Sequence, residues 1–187
     1  MRATLGDVAV DQAIAALRRQ TSGGSSDQSA AASAPRLRQV SILFADVADS
    51  TAMLGRIDAE DARELLARAL QLFADAVQHW GGHVLRYAGD GIMAAFGVDG
   101  LREDESQRAV RAGLQILNEA ARHAERVEHA LGVPGFGVRV GIHTGPVLLG
   151  TGPEGERDVM GGAVSLAARM EQSAPIGQLR ISDATWN

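Results

Sequence analysis

Two short apolar runs, HVLRYA and IMAAFG, close on the tripeptide Gly89-Asp90-Gly91. Glycines on both sides of one aspartate allow the positive φ angles of a tight reversal, so the stretch predicts a β-hairpin with Asp90 at its tip. An isolated hairpin is only marginally stable, so its apolar strands require further strands beside them and helices over them. The flanking sequence supplies both. RQVSILFADV, 38–47, reads as a buried strand through Val40, Ile42, Leu43 and Phe44, with Asp46 at its end. Residues 58–82 have helical periodicity: Leu65, Leu66, Ala69, Leu72, Phe73, Ala76 and Val77 line one side, Asp58 can cap the start, and Gly81-Gly82 stop it. A second long helix is expected over 103–132. GFGVRVGIHTGPVLLGT, 135–151, reads as two strands around Thr144-Gly145-Pro146, followed by a helix over 161–174, a strand over 177–182 and a helix opening at Asp183. This order predicts an α+β fold with a mostly antiparallel sheet covered by helices.

Ahead of this pattern, residues 1–20 hold an amphipathic helix with Val10, Ile14 and Leu17 on one face. Residues 21–35, TSGGSSDQSAAASAP, have the composition of a flexible linker, and the domain proper is 36–187. Its abrupt end at Asn187 suggests a piece of a longer protein.

With 187 residues and 45% hydrophobic content, the chain can bury one sizeable core. A net charge of -5 argues against nucleic acid as partner, and Arg18-Arg19 is too short a run to form a basic patch. The absence of cysteine excludes disulfides and thiolate metal sites. No stretch approaches the roughly 20 apolar residues of a membrane span, and the start lacks the layout of a secretory signal. A soluble, cytoplasmic protein with neither membrane nor nucleic acid as partner is expected.

Asp46 at a strand end and Asp90 at a hairpin tip carry the chemistry. Each alone reads more readily as a capping or turn aspartate. Side by side, two carboxylates repel unless a cation lies between them, and hard oxygen ligands of this kind suit Mg²⁺ or Mn²⁺ with substrate phosphates completing the shell. Val47, Ala48, Asp49, Ser50 and Thr51 lead into a helix start, and their N–H groups with the two hydroxyls suit a phosphate cradle. Further on, Asp158 precedes a glycine-rich approach to a helix on which Ser165 and Arg169, four residues apart, share a face. That face suits an anion, though a turn and a solvated arginine would look the same.

VSILFADVADST, GGHVLRYAGDGIMAAFG, VRVGIHTGPVLLG and RDVMGGAVSLAARME, in this order and spacing, resemble the catalytic domain of class III adenylyl/guanylyl cyclases from about Arg36 to Asn187. FGVDGLREDESQRAVRAGL is most similar to the bacterial branch close to soluble adenylyl cyclases, where an ATPase module often follows. The resemblance implies a ferredoxin-like cyclase fold and conversion of ATP to 3′,5′-cyclic AMP and pyrophosphate with two Mg²⁺ or Mn²⁺ ions. It implies Asp46 and Asp90 as metal ligands and Val47 to Thr51 as the triphosphate holder. Arg86 and Asp158 would read adenine, Ser165 would stand at the ribose-orienting position, and Arg169 would stabilise charge on the phosphates. It also implies a head-to-tail homodimer in which one chain gives the metal aspartates and the other gives Arg86, Asp158, Ser165 and Arg169. The family's domain normally continues past Asn187.

Two positions depart from the pattern. Arg86 replaces the usual lysine with a planar fork; because arginine supplies only donors and Asp158 is retained, ATP is expected rather than GTP. Ser165 replaces an asparagine, which leaves open a weakened, nucleotide-binding regulatory module. Elsewhere, His143 reads as a packed or hydrogen-bonded core histidine, and Trp80 as packing at a helix end. His79 and His83 have no carboxylate partner at metal-ligand spacing.

Overall fold

The computed structural model describes residues 36–100, 103–132, 134–151 and 157–187. The expected helix over 1–20 and linker over 21–35 lie outside the described residues. Strands run over Arg36–Val47 (β1), His83–Ala88 (β2), Gly91–Phe96 (β3), Val138–Thr151 (β4), Arg157–Met160 (β5) and Leu179–Ile181 (β6). Helices run over Ser50–Leu54 (α1), Ala59–His79 (α2), Glu105–Leu131 (α3), Gly162–Gln172 (α4) and Asp183–Trp186 (α5).

The sheet follows the order β2-β3-β1-β4-β5, and β6 pairs with β4. All neighbours are antiparallel except β4 and β6. Strand β1 sets the frame, because it is paired along its length with β4 and over Ser41–Asp46 with β3. Its side chains alternate strictly. Leu43, Ala45 and Val47 enter a core with Phe73, Val77, Phe96, Ala112 and Ile116, while Val40 and Ile42 enter a second with Ala163 and Ala167. One face of the sheet therefore carries α2 and α3, and the other carries α4. Asp46 has the parity of Val40 and Ile42 and lies on the α4 face.

Helix α2 starts where expected: the Asp58 side chain accepts the N–H groups of Glu60 and Asp61, both at 3.0 Å. Gly81, with φ 72°, turns the chain out of it.

The expectation of two strands around Thr144-Gly145-Pro146 is corrected: β4 is one continuous strand of 14 residues. Gly145 is there for packing rather than turning. A Cβ on it would stand 2.9 Å from His143 Nε2 and 3.2 Å from the Ala163 Cβ. Pro146 falls between Ile142, where pairing with β6 ends, and Leu148, where pairing with β5 begins. There β4 is locally an edge, which is where a sheet tolerates proline. Strand β5, not foreseen, places Asp158 opposite Gly150.

Candidate active site

Asp46 pairs with Gly91 across β1 and β3, next to the turn that carries Asp90. The Asp90 carbonyl accepts the Val47 N–H at 3.3 Å, tying the hairpin tip to the end of β1. The Ser50 hydroxyl, at the start of α1, donates to the Asp90 carboxylate. Burial, then a side-chain hydrogen bond to Asp90 and the charges of Asp90 and Glu171, push the Asp46 carboxyl up to about 7, against a smaller pull from Arg139. The structure thus brings the two aspartates together. Gly91 makes this possible: a Cβ there would lie 2.6 Å from the Ala45 carbonyl oxygen and 2.8 Å from Asp46 Oδ1.

The donor set fits a divalent cation. Two adjacent carboxylates are hard oxygen ligands, and a cation favours the charged form that burial and then the Asp90 neighbour disfavour at Asp46. Among the described residues no group of three or more histidine, aspartate or glutamate side chains gathers as a closed metal cage. A pair is what Mg²⁺ or Mn²⁺ uses when phosphate oxygens and water fill the remaining positions.

The segment after β1 is more specialised than its sequence indicates. The Val47 N–H is held by Asp90 and the Ala48 N–H donates to the Gly137 carbonyl at 2.9 Å. Asp49 is left-handed, with φ 52°, and its carbonyl accepts from Ala52 and Met53. Among the described residues the N–H groups of Asp49, Ser50 and Thr51 at the start of α1 make no backbone hydrogen bond, whereas those of Val47 and Ala48 are already taken.

The other expected site residues sit on β2, β5 and α4. Arg86 is exposed on β2, beside an irregularity between Val84 and Arg86, at one end of the sheet order. Asp158 is half-buried on β5 at the other end, and its carboxylate accepts the Val159 N–H at 2.9 Å. Ser165 and Arg169 are exposed on α4.

Two residues that the sequence reading missed join the site. Arg139 is opposite Asp46 in the β1–β4 register, with its Nη2 3.7 Å from Asp46 Oδ2. Its Nε lies 3.5 Å from Glu171 Oε1 on α4, an ion pair without a hydrogen bond: neither atom gains a hydrogen-bond partner. Burial pushes the Glu171 carboxyl up, with Arg139 opposing. An arginine inside the otherwise apolar run of β4 was the available signal.

His143 is a half-buried, hydrogen-bonded histidine: its Nδ1 lies 2.7 Å from the Ser182 hydroxyl, and burial lowers its pKa. Trp80 caps α2 and donates its indole N–H to Gln115 at 2.8 Å. His83 pairs with Asp99, which lies sixteen residues on in the sequence and also binds Arg157. An open groove of about 770 Å³ between α2 and α3, lined by Asp61, Arg68, His123 and Arg126 among others, touches none of the site residues.

Sheet, helices and carboxylate pair together define a cyclase-type domain. The crystal structure of the adenylyl cyclase CyaB from P. aeruginosa matches with a TM-score of 0.76 at 23% identity, over 82% of this chain and 81% of that one. The guanylyl cyclase Cya2 matches with a TM-score of 0.69 at 27% identity, over 81% of this chain and 78% of that one. The adenylate and guanylate cyclase catalytic domain family matches residues 32–187, and the chain belongs to it, as a class III cyclase domain. An adenylate cyclase of Mycobacterium tuberculosis is 31% identical over 157 residues, 82% of this chain and 34% of that protein. The chain therefore spans about a third of the length of the first curated relatives it matches. Among the described residues no helix is long and apolar enough to cross a membrane.

Proposed function

We propose that this domain is an adenylyl cyclase that forms 3′,5′-cyclic AMP and pyrophosphate from ATP at a site shared by two chains in a head-to-tail homodimer. The observation that carries the reading is the joined pair Asp46 and Asp90, with Asp46 pushed up to about 7 by burial and by its neighbour. Asp46 and Asp90 would hold two Mg²⁺ or Mn²⁺ ions. Bound there, the ions supply a lowered pKa for the ribose 3′ hydroxyl and neutralisation of the leaving pyrophosphate.

The chain's own groups supply the rest. The N–H groups of Asp49, Ser50 and Thr51 would hold phosphate oxygens, while the Ser50 hydroxyl holds the Asp90 carboxylate in place. Arg169 balances charge on the phosphates as the α-phosphorus is attacked, and Arg86 with Asp158 reads the adenine edge. A second chain would be needed because the last turn of α4 points these side chains apart. Glu171 is buried toward Asp46, whereas Arg169, two residues earlier and so about 200° around the helix, faces solvent with Ser165. Leu166 on α4 is also exposed, an apolar side chain that a partner chain would cover.

The test is cyclic nucleotide formation from ATP and from GTP with Mn²⁺, followed against protein concentration. ATP turnover whose specific rate rises with concentration supports the reading. A faster rate with GTP makes the domain a guanylyl cyclase, and no turnover at high concentration overturns the enzyme. Ser165 favours one second reading, a catalytically weakened nucleotide-binding regulatory module, which would bind ATP without releasing pyrophosphate.

A further inference from the structure

We propose that Glu171 is a positioning residue that acts through Arg139 to keep the Asp46 carboxylate free for a divalent cation; this rests on the assignment of Asp46 and Asp90 as the cation pair. The placement follows from packing. Gly141 and Arg139 are two apart on β4 and face the same side of the sheet. Gly141 has no room for a side chain, because a Cβ there would stand 1.9 Å from the Glu171 backbone N and 2.6 Å from the Met170 carbonyl carbon. The last turn of α4 therefore lies directly on β4, and Glu171, 7% exposed, is delivered beside the Arg139 guanidinium.

Arg139 then stands between two carboxylates. It reaches 3.7 Å from Asp46 on one side and 3.5 Å from Glu171 on the other, and closes fully on neither. A guanidinium that closed on Asp46 as a bidentate pair would occupy the oxygens a cation needs. Glu171 opposes that closure by drawing the Nε edge of Arg139 back toward α4. Helix α4 thus serves both half-sites of one chain, with Glu171 beneath the metal carboxylates and Arg169 on its outer side.

The experiment measures binding of Mn²⁺ alone to the full chain by the loss of the free-ion electron paramagnetic resonance signal, with thermal melting as a check on folding. Glu171→Gln should weaken Mn²⁺ binding by about tenfold, the lower end of the effect of removing a partner that orients a metal ligand. Glu171→Asp, which keeps the charge, should recover most of the loss. In an Arg139→Met background, Glu171→Gln should change Mn²⁺ affinity less than about twofold, since the residue it acts through is gone. A purely structural glutamate would lower the melting temperature in both Glu171 variants without this dependence on Arg139. Additive effects in the double variant, unchanged binding in Glu171→Gln, or a wild type that binds no Mn²⁺ at millimolar concentration would overturn the proposal. A wild type that turns over ATP while Glu171→Gln binds Mn²⁺ normally sinks this inference alone. A wild type with the predicted Mn²⁺ pattern but no turnover sinks the cyclase reading alone.

Discussion

Gly91 faces Asp46 across the β1–β3 ladder, and the space its missing side chain leaves is the space that the Asp46 carboxylate and the Ala45 carbonyl occupy. Gly91→Ala should therefore act on the site and the fold together. A Cβ 2.6 Å from a backbone oxygen forces the strands apart, at about 1–3 kcal/mol as for other overpacked interiors. Displacing the Asp46 carboxylate should lower ATP turnover by about 100-fold. Parallel measurement of urea unfolding and cyclase rate checks both, and a wild-type rate in the folded variant would contradict the role given to this glycine.

Gly141→Ala should be among the most damaging single-methyl changes in the domain. The new Cβ would meet helix backbone, which cannot rotate away as a side chain can. We expect a loss of about 3 kcal/mol or more in chemical denaturation, together with loss of Mn²⁺ binding as α4 and Glu171 are pushed off β4. A loss below about 1 kcal/mol would show that α4 is not seated as described.

The pH dependence of stability follows from Asp46. Its carboxyl stands at about 7 in the folded chain against an ordinary value of 3.8, so the folded state holds this proton more tightly than the unfolded state. The stabilising contribution is complete below the unfolded value and is lost as pH rises through the folded one. Glu171 shifts in the same direction. Without metal, the melting temperature should fall between about pH 4 and pH 7, and Asp46→Asn should flatten that fall. Added Mn²⁺ should raise the melting temperature more at about pH 8 than at about pH 5.5, because at the lower pH it competes with a proton. A metal effect that is larger at low pH would contradict the assignment of Asp46.

Ser165→Asn tests whether the unusual residue on the outer side of α4 limits catalysis. A longer amide at an exposed position costs little stability. If Ser165 orients the ribose poorly, asparagine should raise kcat by about tenfold or more. An unchanged kcat would place the limit elsewhere.

Much of this architecture is legible in the sequence because local physics dominates there. The apolar run through Val40, Ile42, Leu43 and Phe44, the Gly-Asp-Gly tip and the capped periodicity of α2 each specify their element without outside help. Asp46 and Asp90 are legible for the same reason, since both are punctuation at element ends. What escaped depends on partners distant in the chain. Gly145-Pro146 resembles a turn until α4 is laid on it, and Arg157–Met160 becomes a strand only because β4 extends far enough to pair with it. Arg139 and Glu171 meet through sheet register and helix seating, neither of which their own neighbours in the sequence encode.

The most direct test mixes two variants. Asp46→Ala removes the metal half-site and Arg169→Ala the phosphate half-site, and each alone should lose ATP turnover by orders of magnitude. In an equal mixture about half the dimers pair unlike chains, and each of these holds one intact site of two, so activity should return to about a quarter of wild type. An active Asp46→Ala chain, or a mixture that stays as inactive as its components beside an active wild type, would contradict a cation site on Asp46 and Asp90 completed by a second chain.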